Sequence, residues 1–190
     1  MQLKAFDADG GSLGSETIKD ITLYIFDADK ALLDTRNILL SEIVFLDYPG
    51  HDNLKLVAWG NGKQGAQSMP ALKEGDHLET AFVSLIQTRT TLPVAGSPDD
   101  LFYGTIDITP DADASAKELP LRRKVSGVAI TARYLREYVG STEGEYHYIV
   151  RKTTDKLDFY GKPNGTEVNY RPQAAFNDNG EFVSSAFNIF

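Results

Sequence analysis

The residues with the clearest capacity for chemistry are Asp27 and Asp29. They close an apolar run, Leu23-Tyr24-Ile25-Phe26, as an Asp-x-Asp pair. Two carboxylates so placed could share a magnesium ion, one attacking a phosphorus and the other moving a proton. The same string also reads as a strand entering an acidic hairpin turn, and that reading is preferred. Asp7-Ala8-Asp9-Gly10 gathers carboxylates and a glycine as calcium loops do. The EF-hand spacing fails, because Gly11 and Ile18 fall where ligands are needed, so a solvated turn is expected. Asp99-Asp100 and Asp111-Ala112-Asp113 carry the same two readings. His51, His77 and His147 lie far apart, and no second histidine or cysteine stands near any of them at metal-site spacing. A Walker string is absent from the sequence, since Gly62-Lys63 is followed by neither serine nor threonine. Trp59 is the single tryptophan, and with the many tyrosines it could stack on a sugar ring. Strand-borne aromatics are more often core, so Trp59 is expected to anchor a core beside a turn. Asn61 in that turn would take a left-handed conformation or bond back to the backbone. In Leu121-Arg122-Arg123-Lys124, Arg123 shares parity with Leu121 and Val125. If those two face a core, Arg123 points inward and needs a structural ion pair.

Composition narrows the function classes. The chain has 190 residues, 19 basic and 27 acidic, for a net charge of -8. That balance argues against nonspecific binding to nucleic acid or to an anionic membrane. There is no cysteine, which excludes disulfides, thiol catalysis and cysteine-held metals for the chain as given. No apolar run approaches the length of a membrane-spanning helix, and no apolar core follows Met1 as in a signal peptide.

The elements that must position these residues repeat with period two. Strands are read at Ile21–Phe26, Leu54–Trp59, Leu101–Ile108, Glu145–Lys152 and Glu181–Phe190. Both parities of Ile21–Phe26 are bulky, so that strand is expected to be covered on both faces. In Glu181–Phe190, Val183, Phe187 and Ile189 share the expected core parity. Leu119 to Leu135 is extended, with a parity switch at Ser126-Gly127 that a bulge would explain. Two short helices are considered, Ala81 to Gln87 and Tyr134 to Val139. Long polar connections at 62–74 and 110–117 complete an all-β, Greek-key sandwich of about seven or eight strands.

Two resemblances follow. The Asp27-x-Asp29 string is similar to the first motif of haloacid-dehalogenase-type phosphohydrolases. It departs from it at Lys30 and Ala31, where that motif favours glycine and threonine, and that fold needs βαβ units. Four strings together resemble a different family. They are Ile21-Thr22-Leu23-Tyr24-Ile25-Phe26-Asp27, Leu56-Val57-Ala58-Trp59-Gly60-Asn61, Leu101-Phe102-Tyr103-Gly104 and Leu119-Pro120-Leu121-Arg122-Arg123. In that order they resemble the fimbrillin-associated anchor family of Bacteroidales fimbriae, over most of the chain. The resemblance implies transthyretin-like β-sandwich domains, usually two in tandem. It also implies a lipoprotein at the outer membrane of a Gram-negative bacterium, holding fimbrial shaft subunits.

On that reading residues 1–190 are one sandwich, the first of two. The family's signal and acylated cysteine are missing from this sequence, which is read as a processed or engineered fragment or else as a member not anchored this way. The apolar Phe187-Asn188-Ile189-Phe190 leads to the expectation of a continuation beyond Phe190. Phe26, Asp27, Trp59, Gly60, Asn61, Phe102, Tyr103, Gly104 and Arg123 are the family-motif positions, expected to be structural. No residue is assigned to catalysis, a cofactor or a metal. The rival function is a surface carbohydrate-binding module, with glycans as partner. A magnesium-dependent phosphohydrolase at Asp27 and Asp29 is the remote third.

Overall fold

The structure is a computed structural model that describes residues 1–88, 93–109 and 117–190. Asp111-Ala112-Asp113 lie outside the described residues. Seven strands build the main sheet. They are β1 (Gln2–Phe6), β2 (Ser12–Leu13), β3 (Ile21–Phe26), β4 (Leu32–Ile38), β5 (Leu54–Gly60), β6 (Phe102–Ile108) and β7 (Glu118–Arg123). Their order is β2-β1-β7-β6-β5-β3-β4. All neighbours are antiparallel except β1 and β7, which run parallel with Leu3 opposite Leu119.

Both faces of this sheet are covered, as the bulky parities of β3 require. One face carries Leu23, Ile25, Leu56, Ala58, Phe102 and Leu121 into a core closed by Ile18 and Val44. The sheet curls around that core. The segment after β4 reaches β1 at the far side, where the Val44 N–H donates to the Met1 carbonyl (2.9 Å) and Gln2 bridges Ile43. The other face carries Tyr24, Phe26, Val57, Trp59 and Tyr103 against Val83, Leu157 and Phe159. Those last residues belong to a second sheet of Gln67–Ser68, Phe82–Leu85 and Lys156–Asp158, or follow it directly. The result is an all-β sandwich. A third, smaller core of Leu85, Ala95, Val168, Tyr170 and Phe187 extends it.

Several sequence expectations change. Ala81 to Gln87 is not helical: Phe82–Leu85 is a strand between two partners, preceded by a single 3-10 turn at Leu78–Thr80. The period-two burial of Ala81, Val83 and Leu85 is the reason. The short helix near Tyr134 exists, as Leu135–Val139. Among the described residues no helix is long and apolar enough to cross a membrane. Of Glu145–Lys152 only the end pairs, in Val150–Thr154. Tyr146 and Tyr148 instead use their rings, packing on Phe176 and Phe182. Glu181–Phe190 splits into Phe182–Ser184 and Phe187–Ile189, which join different sheets. Phe182 and Ser184, not Val183, are its buried positions in the first of these. The parity switch at Ser126-Gly127 is a change of sheet rather than a bulge, since Ser126–Val128 pairs with Phe187–Ile189.

Arg123 does not point inward. Leu121 and Val125 enter different cores, because β7 ends at Arg123 and the chain turns there, with the Lys124 N–H on the Leu101 carbonyl (2.8 Å). The expected ion pair is nonetheless formed at the surface. Arg123 grips Asp100 with two nitrogens, at 2.6 Å and 2.7 Å, and lies over the Phe102 ring.

The backbone approach of β6 to β7 fixes one glycine. Pro120 has no N–H to donate, and the β6–β7 ladder stops at Tyr103–Arg122. A Cβ on Gly104 would run into the Pro120 carbonyl oxygen. Gly104→Ala is therefore expected to cost about 1–3 kcal/mol in urea unfolding. Gly127→Ala, whose added carbon would meet only Asn188 Oδ1 at 3.8 Å, should stay within about 0.5 kcal/mol of the parent. Trp59 is fully buried, so Trp59→Ala should cost about 3–5 kcal/mol. A Trp59→Ala loss below about 1 kcal/mol would show that the ring is not a core anchor.

Candidate functional site

The register brings the four motif strings side by side. In β5 and β6, Trp59 faces Tyr103, Gly60 faces Phe102 and Ala58 faces Gly104. On the other side Trp59 faces Thr22 of β3. Phe102 and Tyr103 in turn face Arg123 and Arg122 of β7. The strings are four adjacent strands, so they form one block in the centre of the sheet.

That block is packed rather than open. The Trp59 ring lies 4.9 Å from Tyr103 and 6.1 Å from Phe159, centroid to centroid. Phe26 meets Phe159 edge-on. The Tyr103 hydroxyl donates to the Phe159 carbonyl (3.1 Å), tying the main sheet to the layer above it. With an accessibility of 0%, Trp59 offers no face to a sugar. Among the described residues the strongly exposed aromatics are Phe45, Tyr134 and Tyr138, all outside the motif block.

At the end of β5 the chain turns through Asn61, whose φ is 58°. Its carboxamide then joins three chain segments. Oδ1 accepts from the Lys19 N–H (2.8 Å), and Nδ2 donates to the carbonyls of Thr17 (2.8 Å) and Asp100 (3.0 Å). The Asn61 N–H donates to the Asp20 carbonyl (2.9 Å). Gly60 stands beside it, with Ile18 Cγ2 only 3.1 Å from where a Cβ would sit. Buried Gln67 completes the junction. Its Nε2 donates to the carbonyls of Asn61, Gly62 and Gln64, and its Oε1 accepts from the Asp99 N–H (2.9 Å). Sequence reasoning missed Gln67, and its place in a long polar connection gave no signal.

Asp27 and Asp29 sit at the opposite end of β3 and are not brought together on a cleft. Asp27 closes the β3–β4 turn: its Oδ1 accepts from the Ala31 N–H (2.9 Å), and its N–H donates to the Ala31 carbonyl (2.9 Å). Lys30 takes the left-handed position, with φ 66°. Asp29 is exposed, and its carbonyl meets His77 Nε2 (3.0 Å). A hollow of about 320 Å³ is lined by Asp27, Lys30, Asn53, Lys55 and Asp107, without Asp29. The βαβ units of a phosphohydrolase are missing too, since the single α-helix among the described residues has five residues. The phosphohydrolase reading is thereby closed. Asp7 likewise spends its Oδ1 on the N–H groups of Asp9 (3.0 Å) and Gly11 (2.6 Å), as a turn does.

A second polar group lies on β4. Arg36 Nε donates to Asp34 Oδ2 (2.8 Å), Nη2 donates to the Tyr48 oxygen (2.7 Å), and the Tyr48 hydroxyl donates to the same Asp34 oxygen (2.7 Å). Burial pushes the Asp34 carboxyl up. Arg36, Tyr48 and the Thr35 N–H outweigh it and hold the group below its ordinary value. The spacing of Asp34 and Arg36, two apart on a strand, was the available signal.

The comparisons with known proteins decide the family. Residues 3–190 match the model of the fimbrillin-A associated anchor proteins Mfa1 and Mfa2. The chain belongs to that family. It is 22% identical over 206 residues to the major fimbrium anchoring subunit FimB of Porphyromonas gingivalis. All of this chain is covered, and it spans 65% of the length of that relative. Two solved structures share the fold. One is a candidate polysaccharide-binding protein of Bacteroides thetaiotaomicron, with TM-score 0.73, 17% identity and coverage of 98% of this chain and 70% of the other. The other is the fimbrial anchor protein Mfa2 of Porphyromonas gingivalis, with TM-score 0.66, 14% identity and coverage of 98% and 71%.

Two tests follow from the site. Asn61→Ala should destabilise the chain by about 1–3 kcal/mol, because it strands buried backbone groups. Asn61→Gly, which restores the left-handed turn and not the three hydrogen bonds, should keep most of that loss in urea unfolding. The second test uses alkali. Burial raises the hydroxyls of Tyr24, Tyr48, Tyr103 and Tyr170 from 10.0 to about 12. Unfolding frees them to ionise at the ordinary value. Their contribution to stability is thus fully present below pH 10 and is lost as pH rises towards about 12. In a tyrosinate absorbance titration, Tyr24, Tyr48, Tyr103 and Tyr170 should ionise late, together with loss of folded signal.

Proposed function

We propose that this chain is a non-enzymatic, assembly-forming part of a fimbrial anchor, working at the outer surface of a Gram-negative bacterium. Its partners on this reading are fimbrial shaft subunits. The whole protein would be held at the outer membrane by a lipid. The observation that carries the reading is the motif block. Of the motif positions, Phe26, Trp59, Gly60, Asn61, Phe102, Tyr103 and Gly104 are buried in or beside a sheet covered on both faces, where they can hold a scaffold, while Asp27 and Arg123 lie at its rim. Family membership supplies the direction.

What remains outside is the material of protein–protein contact. β2 is a two-residue edge strand. Beyond Leu32, which exchanges backbone bonds with Gly75 and Asp76, β4 pairs with β3 alone among the described strands. Strand addition at a sheet edge needs free backbone groups rather than catalytic side chains. The β4 edge is partly guarded, since Asp34 Oδ1 takes the Thr35 N–H (2.7 Å).

The test is purification of the full-length protein from its native outer membrane under mild detergent. Fimbrial subunits are expected to accompany it in stoichiometric amounts. Retention of a defined polysaccharide, with no fimbrial subunit present, would overturn the proposal in favour of a carbohydrate-binding module.

A further inference from the structure

After β4 the chain runs back across the end of the sheet. Ile38 and Val44 are buried, and Leu40 and Leu46 pack partly against the same core. Leu39, Ile43 and Phe45 turn the other way, 62%, 62% and 80% exposed. Of the seven large hydrophobic side chains exposed among the described residues, three stand in this one segment. Such clustering marks an interaction surface, whereas single exposed apolar residues do not.

The segment is pinned rather than loose. The Glu42 N–H donates to the Leu39 carbonyl (3.0 Å), and the Leu39 N–H donates to Glu42 Oε2 (3.2 Å). Val44 exchanges bonds with Met1 in both directions, its carbonyl accepting from the Met1 nitrogen at 3.0 Å. Arg36 Nη1 donates to the Phe45 carbonyl (2.7 Å), while its other nitrogens are held by Asp34 and Tyr48. The three apolar side chains are therefore presented on a fixed backbone. Binding through them orders little new chain, which lowers its entropic cost.

Charge chooses the occupant. The exposed polar residues of the segment are Ser41, Glu42 and Asp47, and the Arg36 guanidinium is already committed to Asp34 and Tyr48. The ridge thus has an acidic rim on a chain of net charge -8. A second copy would set acidic rim against acidic rim. Anionic lipid headgroups would be repelled in the same way.

We propose that Leu39, Ile43 and Phe45 form a docking ridge for a protein subunit presenting an apolar hollow ringed by lysine or arginine. The inference rests on the anchor reading above, under which that protein is a fimbrial shaft subunit.

The experiment measures binding of the purified cognate shaft subunit by surface plasmon resonance. It compares the parent protein, the triple variant L39S/I43S/F45S, the single variant F45S and the charge reversal E42K/D47K. The triple variant should bind at least about tenfold more weakly, as expected for removal of clustered apolar anchors. The charge reversal should bind more weakly and lose the salt dependence of the parent. Melting curves report whether each variant is folded, and F45S with the charge reversal decides the matter if the triple variant is not. Parent-like binding by folded ridge variants overturns the ridge and leaves the anchor reading standing. Failure of the parent itself to bind the subunit overturns both. Loss of self-association, or of binding to phosphatidylglycerol vesicles, with unchanged subunit binding assigns the ridge to another occupant and overturns the proposal.

Discussion

Every side chain of β5 from Leu56 to Trp59 is buried, on one face or the other. Two separate layers must therefore exist to cover it. The sheet's own curl, closed by Ile18 and Val44, supplies one. The short sheet carrying Val83 and Leu157 supplies the other. Neither layer is a helix, so the cover is made from loops and two- to four-residue strands. Their backbone groups then need partners that no long ladder provides. This is why side chains such as those of Asn61, Gln67 and Tyr103 serve as hydrogen-bond partners to distant backbone.

The central strands were legible because their burial is local information. Bulky residues at both parities of Ile21–Phe26 announce two covered faces, and Gly60-Asn61 announces the turn that ends β5. The Asp27 turn was legible for the same reason: a short carboxylate side chain folds back on its own backbone. The covering layers were not legible. Phe82–Leu85 carries a two-residue period, but in so short a run only its pairing partners, some seventy residues away for Lys156–Asp158, decide between strand and helix. Arg123 failed for a related reason. Parity predicts facing only while a strand continues, and β7 ends at that residue. Gln67 had no recognisable signature, because its role is to gather the carbonyls of Asn61, Gly62 and Gln64 in its own connection and the N–H of distant Asp99, which no motif spells.

The distribution of polar groups is that of a scaffold. The buried carboxamides are saturated by backbone, the ion pairs sit at the rim, and turn carboxylates are spent on the N–H groups nearest them. Reactive sites usually hold a polar group in reserve, aimed at where a substrate will be. Among the described residues two buried side-chain polar atoms, Asp20 Oδ1 and Trp59 Nε1, are left without a partner.

The parallel pairing of β1 with β7 has a consequence for the order in which the molecule is made. Gln2 faces Glu118, so β1 acquires its inner neighbour only from a strand more than a hundred residues further along the chain. Parallel, distant pairing of this kind closes slowly. Until then β7 is absent, the apolar Leu3 and Ala5 lack the wall they later share with Leu119 and Leu121, and one long flank of the nascent sheet stays open.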